Sequence, residues 1–307
     1  TIGKLIRMRN AKVITIKATD SHKDVDSLAQ VWQQLGEGGA TRHSCMANLG
    51  GGMVTDLGGF AASTFKRGID FINIPTTLLA MVDASVGGKT GINFNGLKNE
   101  VGVFNDSKYV ILDTEFLKTL DKENIISGYA EMLKHGLISN DKMWAQLVNF
   151  EISNPDFELL QTMVADSVEV KKNIVKKDPY ENGIRKALNL GHTFGHAFES
   201  WSLKRKPILH GYAVAYGLIC ELYLSSIKAG FPTDKMRQTV NFIRENYGTL
   251  GITCDDYDEL IELMTHDKKN QAGIINFTLL ESVGKIKINQ TATIEEIKET
   301  LDFFREG

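Results

Sequence analysis

The chain has 307 residues, room for two domains at about 150 residues each. With 35 Lys and Arg against 38 Asp and Glu, the net charge of −3 argues against a broad basic footprint for nucleic acid, and 42% hydrophobic with 24% charged residues excludes a disordered chain. The 3 cysteines, Cys45, Cys220 and Cys254, are widely spaced and form no CxxC, so they read as reduced thiols of a cytoplasmic protein and not as a disulfide framework or zinc ribbon.

Lys12 to Ile16 (KVITI) is β-branched and predicts a strand, and Asp26 to Leu35 carries helical spacing through Leu28, Val31, Trp32 and Leu35. Ser44 to Leu49 predicts a second strand running into Gly50-Gly51-Gly52, and Met53 to Thr64 a helix of small residues. Asp70 to Pro75 and Lys108 to Leu112 predict two further strands. Strands alternating with helices point to an α/β domain with a parallel sheet over residues 1–120. From Lys122 to about Leu263 the pattern is helical, with long helices at Ile125 to Ile138, Phe157 to Lys177, Asn189 to Trp201, Gly211 to Lys228 and Asp234 to Asn246. Gly211 to Leu224, the most apolar stretch, is too short for a membrane span and predicts a buried helix. Ile274 to Leu280 and Lys285 to Ile288 predict a hairpin, and Thr293 to Phe304 a closing helix with a Thr293/Glu296 capping box. Residues 121–307 therefore form a mainly α-helical second domain. No basic-then-apolar leader opens the chain.

Four features could carry chemistry. Gly50-Gly51-Gly52 lies between a strand and a helix, where backbone N–H groups can meet a phosphate, although GxGxxG is absent and a tight packing turn explains it equally well. Gly87-Gly88-Lys89-Thr90 lacks the GxxxxGK spacing of an NTPase and alone reads as a glycine-rich loop, but Asp83, Lys89, Lys98 and Asn99 crowd the same region. His192 and His196 share a helix face at i and i+4, His210 follows, and Glu131 and Lys134 stand at i and i+3 on an earlier helix. Any one histidine is more simply a hydrogen-bonded core residue; together they suggest a catalytic divalent site of the zinc type. Arg67, Lys89, Lys98, Lys134, Lys171, Arg185, Lys268 and Lys269 are ordinary surface charges singly, and an anion site if they converge.

These segments in order, from GGGMVTDLGG through PTTLLAMVDASVGGKTGIN, SGYAEMLKHG, ALNLGHTFGHAFE and LHGYAVAYG to HDKK, resemble the 3-dehydroquinate synthase family of sugar phosphate cyclases. The resemblance implies a lyase of the shikimate pathway, leading to chorismate and the aromatic amino acids. It would convert 3-deoxy-arabino-heptulosonate 7-phosphate to 3-dehydroquinate and phosphate, with NAD and a divalent metal, zinc or cobalt. It implies an NAD-binding first domain, a metal- and substrate-binding second domain, a small anionic sugar-acid phosphate as substrate, a cytoplasmic homodimer, and neither nucleic acid nor membrane as partner. The implied metal ligands are Glu131, His192 and His210, with His196 a nearby site residue. Asp83, Lys89, Asn99, Lys134, Lys171, Arg185, Asn189, His196 and Lys268 fall on the substrate side, and Arg67 corresponds to an arginine reaching the neighbouring subunit's site. Asp20, Lys23, Gly51, Gly52, Asp56, Thr76, Thr77, Lys89, Lys98 and Thr119 fall on the NAD side. The chain departs from the family at Asp20 and Tyr212, where glutamate is usual, and at Thr55, where glycine is usual; a further βαβ unit is expected before Lys12, so the first domain reads as N-terminally incomplete. The alternatives are another sugar phosphate cyclase and a non-catalytic NAD- or metal-binding scaffold.

Overall fold

A computed structural model describes residues 11–265 and 274–306. Its contacts divide it into two compact units. The first runs up to Thr76 and resumes over Gly88–Leu112; the second takes Thr77–Gly87 and continues from Asp113.

In the first unit, α1 (Val25–Glu37) starts where the Asp24 side chain accepts a hydrogen bond from the Ser27 amide. Strands β1 (Cys45–Gly50) and β2 (Asp70–Pro75) pair in parallel, and the short β5 (Tyr109–Val110) adds to β2, giving the order β1-β2-β5. Helix α2 (Gly52–Thr64) crosses over between β1 and β2. Its Gly58 lies so near the sheet that a Cβ would stand 2.2 Å from Asn48 Oδ1, whose side chain bonds Asn73 across the buried ladder at 2.9 Å. Leu28, Val31, Leu57, Phe60, Ala61 and Ile92 form the core of this unit.

Two strand expectations need correction. Residues 12–16 alternate as predicted, with Ile14 and Ile16 packing on that core and Val13 exposed, but they are not a strand and pair with none among the described residues. Alternation reports which face is apolar; a strand also needs a partner edge. The glycine-rich loop, conversely, leads into an antiparallel hairpin, β3 (Lys89–Phe94) and β4 (Leu97–Phe104). Asn95-Gly96, with φ of 49° and 78°, forms its two-residue turn, and this Asn-Gly between two apolar runs was a hairpin signal in the sequence.

The second unit is built from α3 (Lys122–Ser139), α4 (Asp141–Val148), α5 (Phe157–Lys177), α6 (His192–Leu203), α7 (His210–Ala229), α8 (Thr233–Tyr247), α9 (Tyr257–Thr265) and α10 (Ile294–Glu306), with the predicted hairpin as β6 (Phe277–Ser282) and β7 (Lys285–Gln290). The capping box of α10 is present: Thr293 Oγ1 accepts from the Glu296 amide at 3.2 Å, and Glu296 Oε2 from the Thr293 amide at 2.7 Å. Residues Ser127 to Ile138 of α3 are all buried, so this helix is the centre of the unit. Helix α7 meets it at Gly211, where a Cβ would stand 1.7 Å from the Ser127 carbonyl oxygen. No helix among the described residues is long and apolar enough to cross a membrane.

Gly211→Ala therefore forces two backbones apart and is expected to cost about 2–3 kcal/mol or to prevent folding. Gly36→Ala, in α1 with nothing within 4 Å of its added Cβ, should stabilise by about 0.5–1 kcal/mol. Thermal denaturation of the two variants checks both; a Gly211→Ala protein as stable as the parent would contradict this packing.

Candidate active site

The central group is Glu131 on α3, which is 0% exposed. One turn on, Lys134, at 1% exposure, donates to Glu131 Oε2. The other oxygen, Oε1, has no hydrogen-bond partner. His192 Nε2 lies 3.5 Å from it and His210 Nε2 3.8 Å. The ligand atoms of Glu131, His192 and His210 all lie within 4.8 Å of one another.

Both imidazoles are held from behind. His192 Nδ1 is 3.1 Å from the Leu190 carbonyl oxygen and His210 Nδ1 is 2.9 Å from Glu199 Oε2. Each acceptor calls for a proton on Nδ1, which leaves the Nε2 lone pair toward Glu131 in the neutral ring. A buried carboxylate oxygen without a donor, facing two imidazole lone pairs, is a donor set fitted to a divalent cation of the zinc type. The i, i+4 neighbour His196 is not one of the three; its ring centroid lies 5.3 Å from that of His192 and 6.1 Å from that of His210.

A second set of charges adjoins the first. Lys171 of α5 donates to both the side chain and the backbone carbonyl of Asp83, each at 2.6 Å, and Asp83, Glu131 and His135 also bring ligand atoms within 4.8 Å of one another. Arg185 is buried and donates to the carbonyls of Gly87 and Pro179, and Asn189 donates to Glu181 at 2.8 Å. Burial alone would raise the carboxyl of Asp83, but the Lys171 ammonium holds it down at about 2. Glu131 is likewise driven up by burial and, on balance, held well below the usual range by Lys134. Burial works to lower His210, yet its hydrogen bond to Glu199 raises it on balance.

In the first unit, Lys23 is buried and donates to Asp56 Oδ2 at 3.0 Å and to Asn99 Oδ1, while Asp20 reaches Lys23 at 3.5 Å and Lys98 at 3.7 Å. Asp20, Lys23, Asp56 and Lys98, expected to contact NAD, thus share one polar cluster, and Asn99, expected to contact substrate, joins it. Gly51 and Gly52 open α2 directly after β1, and no side chain caps that helix start. Thr76 donates its amide to the Gly50 carbonyl at 2.9 Å. Lys89 is exposed at the start of β3. Arg67 is exposed on a turn where Lys66 and Arg67 both hold positive φ, 49° and 69°, a strained conformation for non-glycine residues.

Thr77 and Thr119 belong to the second unit; Thr77 Oγ1 accepts from the Ala80 amide and Thr119 is exposed. Lys268 and Lys269 lie outside the described residues. Of the family departures, Thr55 is buried and bonds the Gly52 carbonyl at 3.0 Å, and Tyr212 packs edge-on against Tyr247 at 5.2 Å. Three polar residues near these groups escaped the sequence reading: His135, Glu199 and Glu221. Glu199 was accessible, since it stands three residues after His196 and seven after His192 on one helix face.

Residues 13–127 match the family model described as 3-dehydroquinate synthase N-terminal, and residues 128–270 the model described as 3-dehydroquinate synthase C-terminal. A 3-dehydroquinate synthase of Parabacteroides distasonis is 58% identical over 300 residues, which cover 97% of this chain and 85% of that protein. The chain belongs to the 3-dehydroquinate synthase family. A crystal structure of 2-deoxy-scyllo-inosose synthase complexed with carbaglucose-6-phosphate, NAD+ and Co2+ superposes with a TM-score of 0.84 at 25% identity, over 96% of this chain and 82% of that one. 2-epi-5-epi-valiolone synthase from Streptomyces hygroscopicus subsp. jinggangensis, with NAD+ and Zn2+ bound, gives 0.84 at 25% identity over 95% and 82%. The parallel-sheet first domain and helical second domain are the architecture of these cyclases.

His135 offers a pH test of this buried cluster. Its Nδ1 bonds Ser167 Oγ at 2.7 Å, its Nε2 has no partner, and burial depresses it from 6.5 to about 3. The unfolded chain takes up this proton below about 6.5 and the folded one does not, so stability falls as pH drops from 6.5 toward 3, at up to about 1.4 kcal/mol per pH unit. His210 acts in the opposite sense, so the measurement is a difference: urea unfolding of parent and His135→Gln between pH 6.5 and 4.5. The variant should lose less stability over that window; identical slopes would place a charged imidazole in the fold.

Proposed function

We infer that the chain catalyses conversion of 3-deoxy-arabino-heptulosonate 7-phosphate to 3-dehydroquinate and inorganic phosphate, a lyase step of the shikimate pathway. The observation that carries the reading is the buried Glu131 oxygen without a donor, faced by His192 and His210 and flanked by Lys134. The 58% identity to a 3-dehydroquinate synthase, against 25% to the inosose and valiolone synthases, favours this substrate over another cyclase's. A scaffold without activity has no support in residues that are present throughout the cluster.

Glu131, His192 and His210 would hold a zinc or cobalt ion. Asp20, Lys23, Asp56 and Lys98 would contact NAD, with Thr76, Thr77, Lys89 and Thr119 lining the same cofactor. Gly51 and Gly52 would offer the α2 N-terminus, at the carboxyl end of a parallel strand, to its phosphates. When bound, NAD removes and returns a hydride and the metal lowers the pKa of the hydroxyl that is oxidised.

The chain's own residues do the rest. Lys89, Asn99, Lys134, Lys171, Arg185 and Lys268 bind the phosphate and carboxylate and so choose the reacting conformer. Lys134 also keeps Glu131 ionised, which is the form a cation requires. The ketone made by oxidation acidifies the neighbouring C–H, and phosphate leaves by β-elimination as one of its own oxygens takes that proton. After reduction the hemiketal ring C–O bond breaks to give an enol and a new ketone, and the enol carbon closes on that ketone by aldol addition, with Asn189 and His196 orienting groups and relaying the enol proton to the new alkoxide. On this reading the first unit supplies most of the cofactor contacts, and the second supplies the metal ligands and most of the substrate contacts.

Phosphate release from this substrate, with NAD and zinc supplied, should stop on chelation, return with zinc and proceed without net NADH. His192→Ala should lose zinc and activity together, and Lys134→Ala should lose at least about 100-fold in kcat with the fold intact. A zinc-replete, active His192→Ala protein would sink the ligand assignment.

A homodimer is proposed as well. Arg67 is exposed for a partner's site, and all of β4 is exposed, including Leu97, Val101 and Val103, with β3 its one partner strand among the described residues, which leaves an apolar strand to cover. Sedimentation equilibrium should return twice the chain mass; a monomer at micromolar concentration overturns this.

A further inference from the structure

We propose that Glu221 is a positioning residue for the His192 imidazole. Glu221 lies in an apolar helix, α7, and is 0% exposed. Its carboxylate points at the start of α6. Oε2 accepts from the Gly191 amide at 2.7 Å and Oε1 from the Thr193 amide at 3.0 Å. These two amides bracket residue 192, so the backbone on both sides of His192 is fixed by one buried side chain.

The local chain cannot do this for itself. Gly191 is the residue before α6, holds φ of 80°, and has no side chain with which to cap the helix. A Cβ there would stand 2.9 Å from Leu218 and 3.0 Å from the Val214 carbonyl oxygen, so no capping side chain fits. One turn before Glu221, Gly217 lets the helices touch, since its Cβ would stand 1.9 Å from the Gly191 carbonyl oxygen. The cap therefore comes from the neighbouring helix, and a carboxylate suits the positive end of the α6 dipole.

The consequence reaches the ring because His192 Nδ1 is 3.1 Å from Leu190 O, the carbonyl next to the clamped Gly191 amide. The orientation of His192 Nε2 toward Glu131 thus depends on the 190–193 backbone, and that backbone depends on Glu221. The inference rests on His192 being a metal ligand, as proposed above.

The test uses the full chain stripped of metal and titrated with zinc against a chromophoric chelator, well below the unfolding temperature. Glu221→Gln keeps the shape but presents an amide N–H where a carboxylate oxygen accepted a bond. It should weaken zinc binding by about tenfold to a hundredfold. Ser225→Ala is the control: Ser225, one turn along, bonds the Glu221 carbonyl and the Leu280 amide, so its loss loosens α7 without touching Gly191 or Thr193. It should lower the melting temperature and leave zinc affinity within twofold of the parent. Should Glu221→Gln not fold, Glu221→Asp, one methylene short of both amides, is read against the same thresholds. Zinc affinity within twofold of the parent in the Glu221 variant, or an equal loss in Ser225→Ala, overturns the inference while His192→Ala still abolishes binding. Undiminished zinc binding by His192→Ala overturns the ligand reading and this inference with it.

Discussion

Burying an ionised carboxylate sets the terms for the helical unit. Glu131 is taken fully out of water at the centre of α3, and an isolated charge there would cost several kcal/mol. Lys134 meets one oxygen; the other is left facing two imidazoles. The charge persists only if these partners stay in place, and they come from three different helices. The packing of α3, α6 and α7 is therefore as much a part of the site as the side chains are.

That packing is achieved with small residues. Gly211 brings the His210 end of α7 onto α3 at Ser127, and Gly191, Gly195 and Gly217 bring α6 against α7. Because the backbones touch, the imidazoles sit within reach of a carboxylate that cannot move. Supporting acceptors then fix each ring: Leu190 O for His192 and Glu199 for His210. The neighbouring Asp83–Lys171 pair extends the alternation of charge, which is how two carboxylates and two ammonium groups coexist in little water.

The first unit solves a different problem with a similar economy of bulk. Glycines after β1 open a helix start without a side-chain cap, and Gly58 lets α2 lie close to the buried Asn48–Asn73 bond. Lys23 gathers Asp20, Asp56 and Asn99 from three separate stretches of chain. The contacts to Asp56 and Asn99 span 33 and 76 residues of sequence, so they depend on the fold having formed, whereas Asp20 is three residues from Lys23.

Much of this was legible beforehand where the determinant is local. The long helices follow from apolar spacing and from caps such as Asp121, Asp156 and Thr293/Glu296, all within a few residues of the helix they start. Family motifs spread over Gly50 to Lys269 gave the expected site residues, of which Glu131, His192 and His210 stand together. Spacing within α6 alone pointed to His192 with His196, because i and i+4 share a face. Which histidines converge on Glu131 depends on where α7 delivers His210, and that is a matter of helix packing. The extended run at 12–16 had the right alternation and pairs with no strand among the described residues, and Glu221 was one acid in an apolar helix until α6 docked beside it. The sequence by itself determined the elements, their order and the chemistry available. Tertiary structure alone decided which groups share one buried space, because burial and partnership are properties of segments far apart in the chain.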